Sequence, residues 1–78
     1  MIRQPKRGKR NVNDLFYEEE RRQIEELNRE FFSDVELTSA ENDVLVWLCG
    51  QDRYTFGNMV AAFRKVRDKI IPVIAEME

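Results

Sequence analysis

Apolar and charged residues alternate with helical spacing over residues 11–32. Apolar side chains recur three and four residues apart, at Ile24, Leu27 and Phe31, as they do on one face of an α-helix. Pairs of opposite charge four residues apart occupy the positions between them, as on the solvated side of such a helix. We therefore predict a first helix that is capped by Asn11 or Asn13 and ends near residue 32.

A second stretch contains six consecutive apolar residues, VLVWLC, at positions 44–49. Thr38 precedes this run and is followed three residues later by Glu41. This is the spacing of a capping box, so we predict that a helix begins just after Thr38. Gly50 follows the run, and we expect it to end the helix in a left-handed conformation.

Two neighbouring helices cannot cover every side of this second helix. We expect them to cover Val44, Leu45 and Leu48, whereas Val46 and Trp47 project about 100° apart and cannot both be covered. Tryptophan is a preferred anchor of protein interfaces. The candidate protein interface is therefore Val46 and Trp47, with the adjoining thiol of Cys49, which we expect to be packed. The alternative is that Trp47 is simply the large core residue of a small bundle.

A third helix is predicted after the polar bridge QDRY, with Thr55 as its cap. Seven apolar residues share one face at 3.6-residue spacing: Phe56, Met59, Val60, Phe63, Val66, Ile70 and Ile74. Pro72 cannot donate a backbone hydrogen bond, so we expect the helix to end or kink near Ile71 and a short turn to follow.

These elements predict an all-α protein, a small three-helix bundle formed by residues 11–78. Residues 1–10 contain five basic side chains and no acidic one, whereas residues 11–78 contain 8 basic and 15 acidic residues. With a proline and a glycine among them, residues 1–10 are expected to form a flexible basic arm that buries almost nothing. A basic arm on an acidic body is the main electrostatic feature of the chain.

The residues needed for most enzymatic chemistry are missing from the sequence. The chain has no histidine and one cysteine, which excludes an intrachain disulfide and the usual zinc ligand sets. The consecutive acids Glu18, Glu19 and Glu20 point around the helix, so we expect a solvated face, not a site. No segment has the length of a membrane span. We therefore expect a cytoplasmic, non-enzymatic protein without metal, cofactor or small-molecule substrate.

Binding to a protein partner or to a second copy is the function that this pattern favours. In size, charge and lack of catalytic residues the chain resembles the short open reading frames of phages and mobile elements, but this resemblance transfers no site residue. The alternative is a nucleic-acid-binding regulator in which the second and third helices form a helix-turn-helix-like unit, although QDRY is long for that motif. Its candidate contacts with nucleic acid are Arg3, Lys6, Arg7, Lys9, Arg10, Asn58, Arg64, Lys65 and Lys69.

Overall fold

Three α-helices follow one another along the chain, as the sequence predicts. The computed structural model describes the backbone of residues 1–77 and, within it, the side chains of residues 1–8 and 10–69. The helices are α1 (Asp14–Leu27), α2 (Ser39–Cys49) and α3 (Arg53–Met77), and α1 continues into a π-helix at Asn28–Phe32. A short 3-10 turn, Arg7–Lys9, precedes them, and residues 1–77 contain no β-strand. The predicted all-α fold of three helices is confirmed.

Asn13 caps the first helix. Its side-chain oxygen accepts a hydrogen bond from the backbone N–H of Phe16 at 2.7 Å, which satisfies one of the unpaired donors at the start of a helix. The sequence left Asn11 and Asn13 as alternatives, and the structure selects Asn13. The helical path then reaches Phe32, close to the predicted end.

The predicted capping box of α2 is confirmed. The hydroxyl of Thr38 accepts the N–H of Glu41 at 3.1 Å, and the carboxylate of Glu41 accepts the N–H of Thr38 at 2.8 Å. The expected left-handed glycine is wrong, because Gly50 has φ −86° and ψ 0°. Close packing gives the better reason for this glycine: a Cβ there would lie 3.1 Å from the ring of Phe16.

The start of α3 lies earlier than predicted. The carboxylate of Asp52, not the side chain of Thr55, caps this helix: it accepts the N–H of Thr55 at 2.8 Å and the hydroxyl of Thr55 at 3.0 Å. A carboxylate is a stronger acceptor than a hydroxyl, so Asp52 recruits Thr55 as a donor. The connection between α2 and α3 is therefore only residues 50–52.

The predicted turn after Pro72 is also wrong. The helix α3 continues through Pro72 as far as Met77. Proline removes one backbone donor from the helix, but the N–H groups of the residues after it remain available for helical bonds, so the helix need not end there.

Side chains from all three helices form the core. Among the side chains that the structure describes, eight apolar ones are buried together: Ile2, Ile24, Leu27, Val46, Leu48, Cys49, Phe56 and Val60. Phe31, Phe32, Leu37, Leu45 and Met59 pack around them. The predicted covering of Leu48 is correct, whereas Val44 was expected inside and lies on the surface with 63% of its area exposed.

The first residues of the chain pack against the helices. Ile2 is 2% exposed and belongs to the core. The side chain of Asn28 bonds both backbone groups of Ile2, at 2.7 and 3.0 Å, and that of Asn42 bonds both backbone groups of Arg3, at 2.8 and 3.0 Å. The expectation that residues 1–10 bury almost nothing is thus corrected, because one isoleucine among the charges is enough to anchor them. The boundary between residues 10 and 11 stays a prediction.

Candidate protein-binding surface

The helix α2 turns one part of its apolar run inward and the other outward. Trp47 and Val44 are 67% and 63% exposed, whereas Val46 and Cys49 are 6% and 0% exposed. Of the predicted interface, only Trp47 is therefore on the surface, and the assignments of Val46 and Cys49 are corrected. The run is not covered on all sides, as expected, but Val46 lies in the core, which also contains residues of α1, of α3 and the N-terminal Ile2.

An apolar groove adjoins Val44. It is lined by Phe32, Leu37, Ala40, Glu41, Val44 and Leu45. All but one of these side chains are apolar, and the exception, Glu41, is held in the capping box of α2. The exposed side of α2 thus continues into a groove that could receive apolar side chains of a partner.

Aromatic contacts extend this apolar area toward α3. The ring of Phe31 lies edge-on to the rings of Phe32 and Phe63, with centroid distances of 6.5 and 6.2 Å. Phe63 is 39% exposed and Val66, one turn further along α3, is 58% exposed. We use the name apolar surface for the exposed residues Val44, Trp47, Phe63 and Val66 together with the groove.

Ion pairs connect α3 to the π-helix. Arg64 donates two hydrogen bonds to the carboxylate of Glu30, at 2.6 and 2.8 Å, and Arg67 donates a third at 3.0 Å. The bonds from Arg64 and then Arg67 lower the pKa of Glu30 to about 2, against the opposing effect of its burial. The guanidinium of Arg67 also lies 5.2 Å from the centre of the Phe31 ring. Arg64, predicted to contact nucleic acid, is therefore engaged within the protein.

Arg10 is likewise engaged within the protein. It donates hydrogen bonds of 2.6 and 2.9 Å to the two carboxylate oxygens of Glu20, which also accepts one from Gln4 at 3.0 Å. Glu20 is only 2% exposed. Burial opposes its ionisation, but the bonds from Arg10 and Gln4 outweigh that effect and hold the pKa of Glu20 below its ordinary value.

The other predicted nucleic-acid contacts are exposed where the structure describes their side chains. Arg7 pairs with Asp14 at 2.6 Å, and Arg3 is held through its backbone while its side chain is exposed. The side chain of Lys9 lies outside the described residues. Lys6, Asn58, Lys65 and Lys69 are exposed, and the last three lie on α3.

Two buried polar residues of α1 were missed by sequence reasoning. Glu20 was expected on a solvated face, and Gln23 was not singled out; Gln23 donates to the backbone carbonyls of Cys49 and Gln51 at 2.6 and 3.0 Å. A signal was present, because Glu20 lies four residues before Ile24 and Gln23 four before Leu27. Both therefore fall on the apolar face of α1.

Cys49 is a packed thiol. Its side chain is fully buried, and this burial, together with the charges of Glu20 and Glu26, raises its pKa to about 12. A thiol with so high a pKa is almost entirely protonated near neutral pH and is a poor nucleophile. The structure thus agrees with the expectation that Cys49 has a packing role.

Comparison with known proteins finds no significant match for this chain. No family model matches the chain, and neither a curated protein nor a solved structure shows significant similarity to it. In the described part of the chain, no helix combines the length and apolar character required to cross a membrane. Within the same part, no three side chains of the metal-binding types cluster in a way that could hold a metal ion.

Proposed function

We propose that the protein is a non-enzymatic binding module that contacts another protein through the apolar surface. The observation that carries this proposal is the exposure of Trp47 and Val44, at 67% and 63%, one helical turn apart on α2. Single exposed apolar residues are common on proteins, but contiguous groups of them mark interaction sites. Here the pair adjoins an apolar groove, so the exposed area is continuous.

The residues of the surface suit the two parts of a protein interface. Trp47 would be the anchor, because a large ring that leaves water on binding contributes much of the energy of such contacts. The groove between Phe32 and Leu45 would accept a smaller apolar side chain. Glu41 and Asp43 are exposed beside them and would form the polar rim, which selects the partner by its charge.

The proposal includes a cytoplasmic location and no cofactor. The single cysteine supports a reducing compartment, because free buried thiols are ordinary there. The absence of histidine from the sequence supports a role in binding over one in catalysis.

The proposal is tested by comparing immobilised variants as baits in a lysate of the source organism. Wild-type protein and Leu15→Ala should retain the same proteins, because Leu15 is an exposed apolar residue of α1 outside the apolar surface, at 73% exposure. Trp47→Ala should lose them, with quantification by mass spectrometry. If Trp47→Ala retains the same proteins at the same level as wild type, the proposed surface is not the binding site for those proteins.

Nucleic-acid binding is the second candidate, and one observation favours it. The connection of residues 50–52 between α2 and α3 has the length of a helix-turn-helix turn, and Asn58, Lys65 and Lys69 are exposed on the second of these helices. Wild-type protein would then bind a random-sequence DNA duplex with an affinity that falls steeply with salt. Lys65→Glu with Lys69→Glu would abolish the signal in fluorescence anisotropy. Absence of binding by wild type in 50 mM salt would exclude this candidate.

A further inference from the structure

Acidic and apolar residues share the exposed side of α2. Ala40, Val44 and Trp47 lie three or four residues apart, and all three are exposed, so they form one apolar strip along the helix. Glu41 and Asp43 are also exposed, and helical geometry places them on opposite sides of this strip. The helix therefore presents an apolar strip with negative charge along both edges, which we name the acidic strip.

Basic and apolar residues share the exposed side of α3. Ala62 and Phe63 lie four and three residues before Val66, and all three are exposed. Lys65 and Lys69 lie four apart, are exposed as well, and follow one edge of these apolar residues. This second surface, which we name the basic strip, has the same apolar character as the acidic strip and the opposite charge.

We propose that a second copy of this chain covers both strips, with the acidic strip of each copy packed against the basic strip of the other. This inference rests on the proposed function, since it names the partner of the same surface. Charge complementarity selects the second copy as the occupant: one copy carries both the acidic and the basic strip, so each supplies what the other needs. In a two-fold symmetric dimer each such contact is made twice.

The size and shape of the chain support the same arrangement. Chains of this length bury too little apolar surface to be more than marginally stable alone, and self-association is a common remedy. The molecule measures 50 × 26 × 17 Å, so it is elongated and offers long helical faces for packing. Trp47, Val44 and Val66 are each more than half exposed in the single chain, and the dimer would remove them from water.

Analytical ultracentrifugation of wild type over a range of concentrations tests the first consequence, which is a concentration-dependent dimer.

Two charge-reversed proteins test the pairing of the acidic strip with the basic strip. One carries Asp43→Lys in the acidic strip, and the other carries Lys65→Glu with Lys69→Glu in the basic strip. Each alone should dimerise at least about tenfold more weakly, because like charges then face each other at both copies of the contact. An equimolar mixture should recover dimers, because both contacts are again between opposite charges.

The matched control is Glu25→Lys, a charge reversal on the exposed side of α1, which should dimerise like wild type. Unfolded variants could not recover association on mixing. Recovery in the mixture would therefore show that each variant is folded and that charge repulsion caused its loss of association. If the two reversed proteins lose association but do not recover it together, the proposed pairing is overturned. A reversal of Lys65 and Lys69 without effect overturns it as well, because the dimer would then use another surface.

A wild-type chain that stays monomeric up to millimolar concentration overturns the self-association. It leaves the proposed function standing, because loss of retained proteins by Trp47→Ala would then identify a foreign partner. If Trp47→Ala retains proteins like wild type while the charge-reversed mixture behaves as expected, those proteins bind elsewhere on the molecule and the partner of the apolar surface is the second copy alone.

Discussion

At the scale of single residues, the direction in which each side chain of the run VLVWLC points decides its role. Val46 and Trp47 are neighbours in the chain, but Val46 is 6% exposed and Trp47 is 67% exposed. Burial makes one a structural residue, and exposure makes the other available to a partner. A polar substitution at Val46 should therefore disrupt folding, whereas truncation of Trp47 should leave the fold intact.

Val46→Asp should unfold the protein, because it places a carboxylate in the core without a partner. A chain of 78 residues has a total stability of only about 4–12 kcal/mol, so it cannot absorb that cost. In the monomer, at concentrations too low for self-association, Trp47→Ala should change the free energy of unfolding by less than about 0.5 kcal/mol, as expected of an exposed residue. Circular dichroism with urea denaturation measures both. A cooperative transition for Val46→Asp that resembles wild type would contradict the placement of Val46 in the core.

At the scale of single elements, local chemistry sets where the helices begin, and ion pairs set how they pack. The capping box of Thr38 and Glu41 starts α2, and the carboxylate of Asp52 starts α3. Glu30, on the π-helix, then ties α3 to α1 through Arg64 and Arg67. The first kind of contact is local in sequence, and the second links residues more than thirty positions apart.

Loss of the cap at α2 should be measurable. Thr38→Ala removes the acceptor for the N–H of Glu41 and should lower the free energy of unfolding by about 0.5–2 kcal/mol. Thr38→Ser keeps a hydroxyl and should stay close to wild type, which makes it the matched control. Equal stability of the alanine and serine variants would mean that the hydroxyl does not cap the helix.

Acid should weaken the attachment of α3 through Glu30. The pKa of Glu30 is lowered from 4.5 to about 2, so its ion pairs contribute stability above pH 4.5, and that contribution is lost as the pH falls toward 2. Other carboxylates also titrate in this range, so the comparison is with Glu30→Gln. The stability difference between wild type and Glu30→Gln, from urea denaturation, should be largest at pH 6 and shrink steadily toward pH 2. A difference that does not change with pH would show that the ionisation of Glu30 is not coupled to folding.

At the scale of the whole molecule, the N-terminal segment links elements that are distant in sequence. Ile2 enters the core, while Asn28 and Asn42 hold the backbone of Ile2 and Arg3 against the π-helix and α2. Arg10 neutralises the buried Glu20 of α1. Two of the basic residues that indicated a free arm, Arg7 and Arg10, thus pair with Asp14 and Glu20 and hold the segment against α1.

Ile2→Ala should destabilise the whole protein. Truncating a buried isoleucine leaves a cavity and costs about 2–5 kcal/mol, a large part of the stability of so small a domain. Lys6→Ala, a change in the same segment at an exposed position, should be nearly neutral. If thermal or urea denaturation finds Ile2→Ala as stable as Lys6→Ala, the segment is not part of the folded unit.

The sequence by itself determined what depends on neighbouring residues. Helical periodicity and the capping box at Thr38 are local, because the groups that interact are three or four residues apart. For the same reason the three helices were predicted with the right number and order. The sequence also predicted that part of the apolar run of α2 remains exposed, because two neighbouring helices cannot cover six consecutive residues on all sides.

Only the tertiary structure decided which side of each helix faces inward. The rotation of α2 about its axis buries Val46 and exposes Val44, and it depends on a core whose other members come from Ile2, α1 and α3, which are remote in sequence. The docking of the N-terminal residues depends on hydrogen bonds from Asn28 to Ile2 and from Asn42 to Arg3. The burial of Glu20 depends on its ion pair with Arg10. A charged segment reads as solvated when its partners are unknown. The packed fold brings these interacting residues together. It also fixes which apolar residues of α2 remain exposed, so the candidate binding surface could be identified only from the structure.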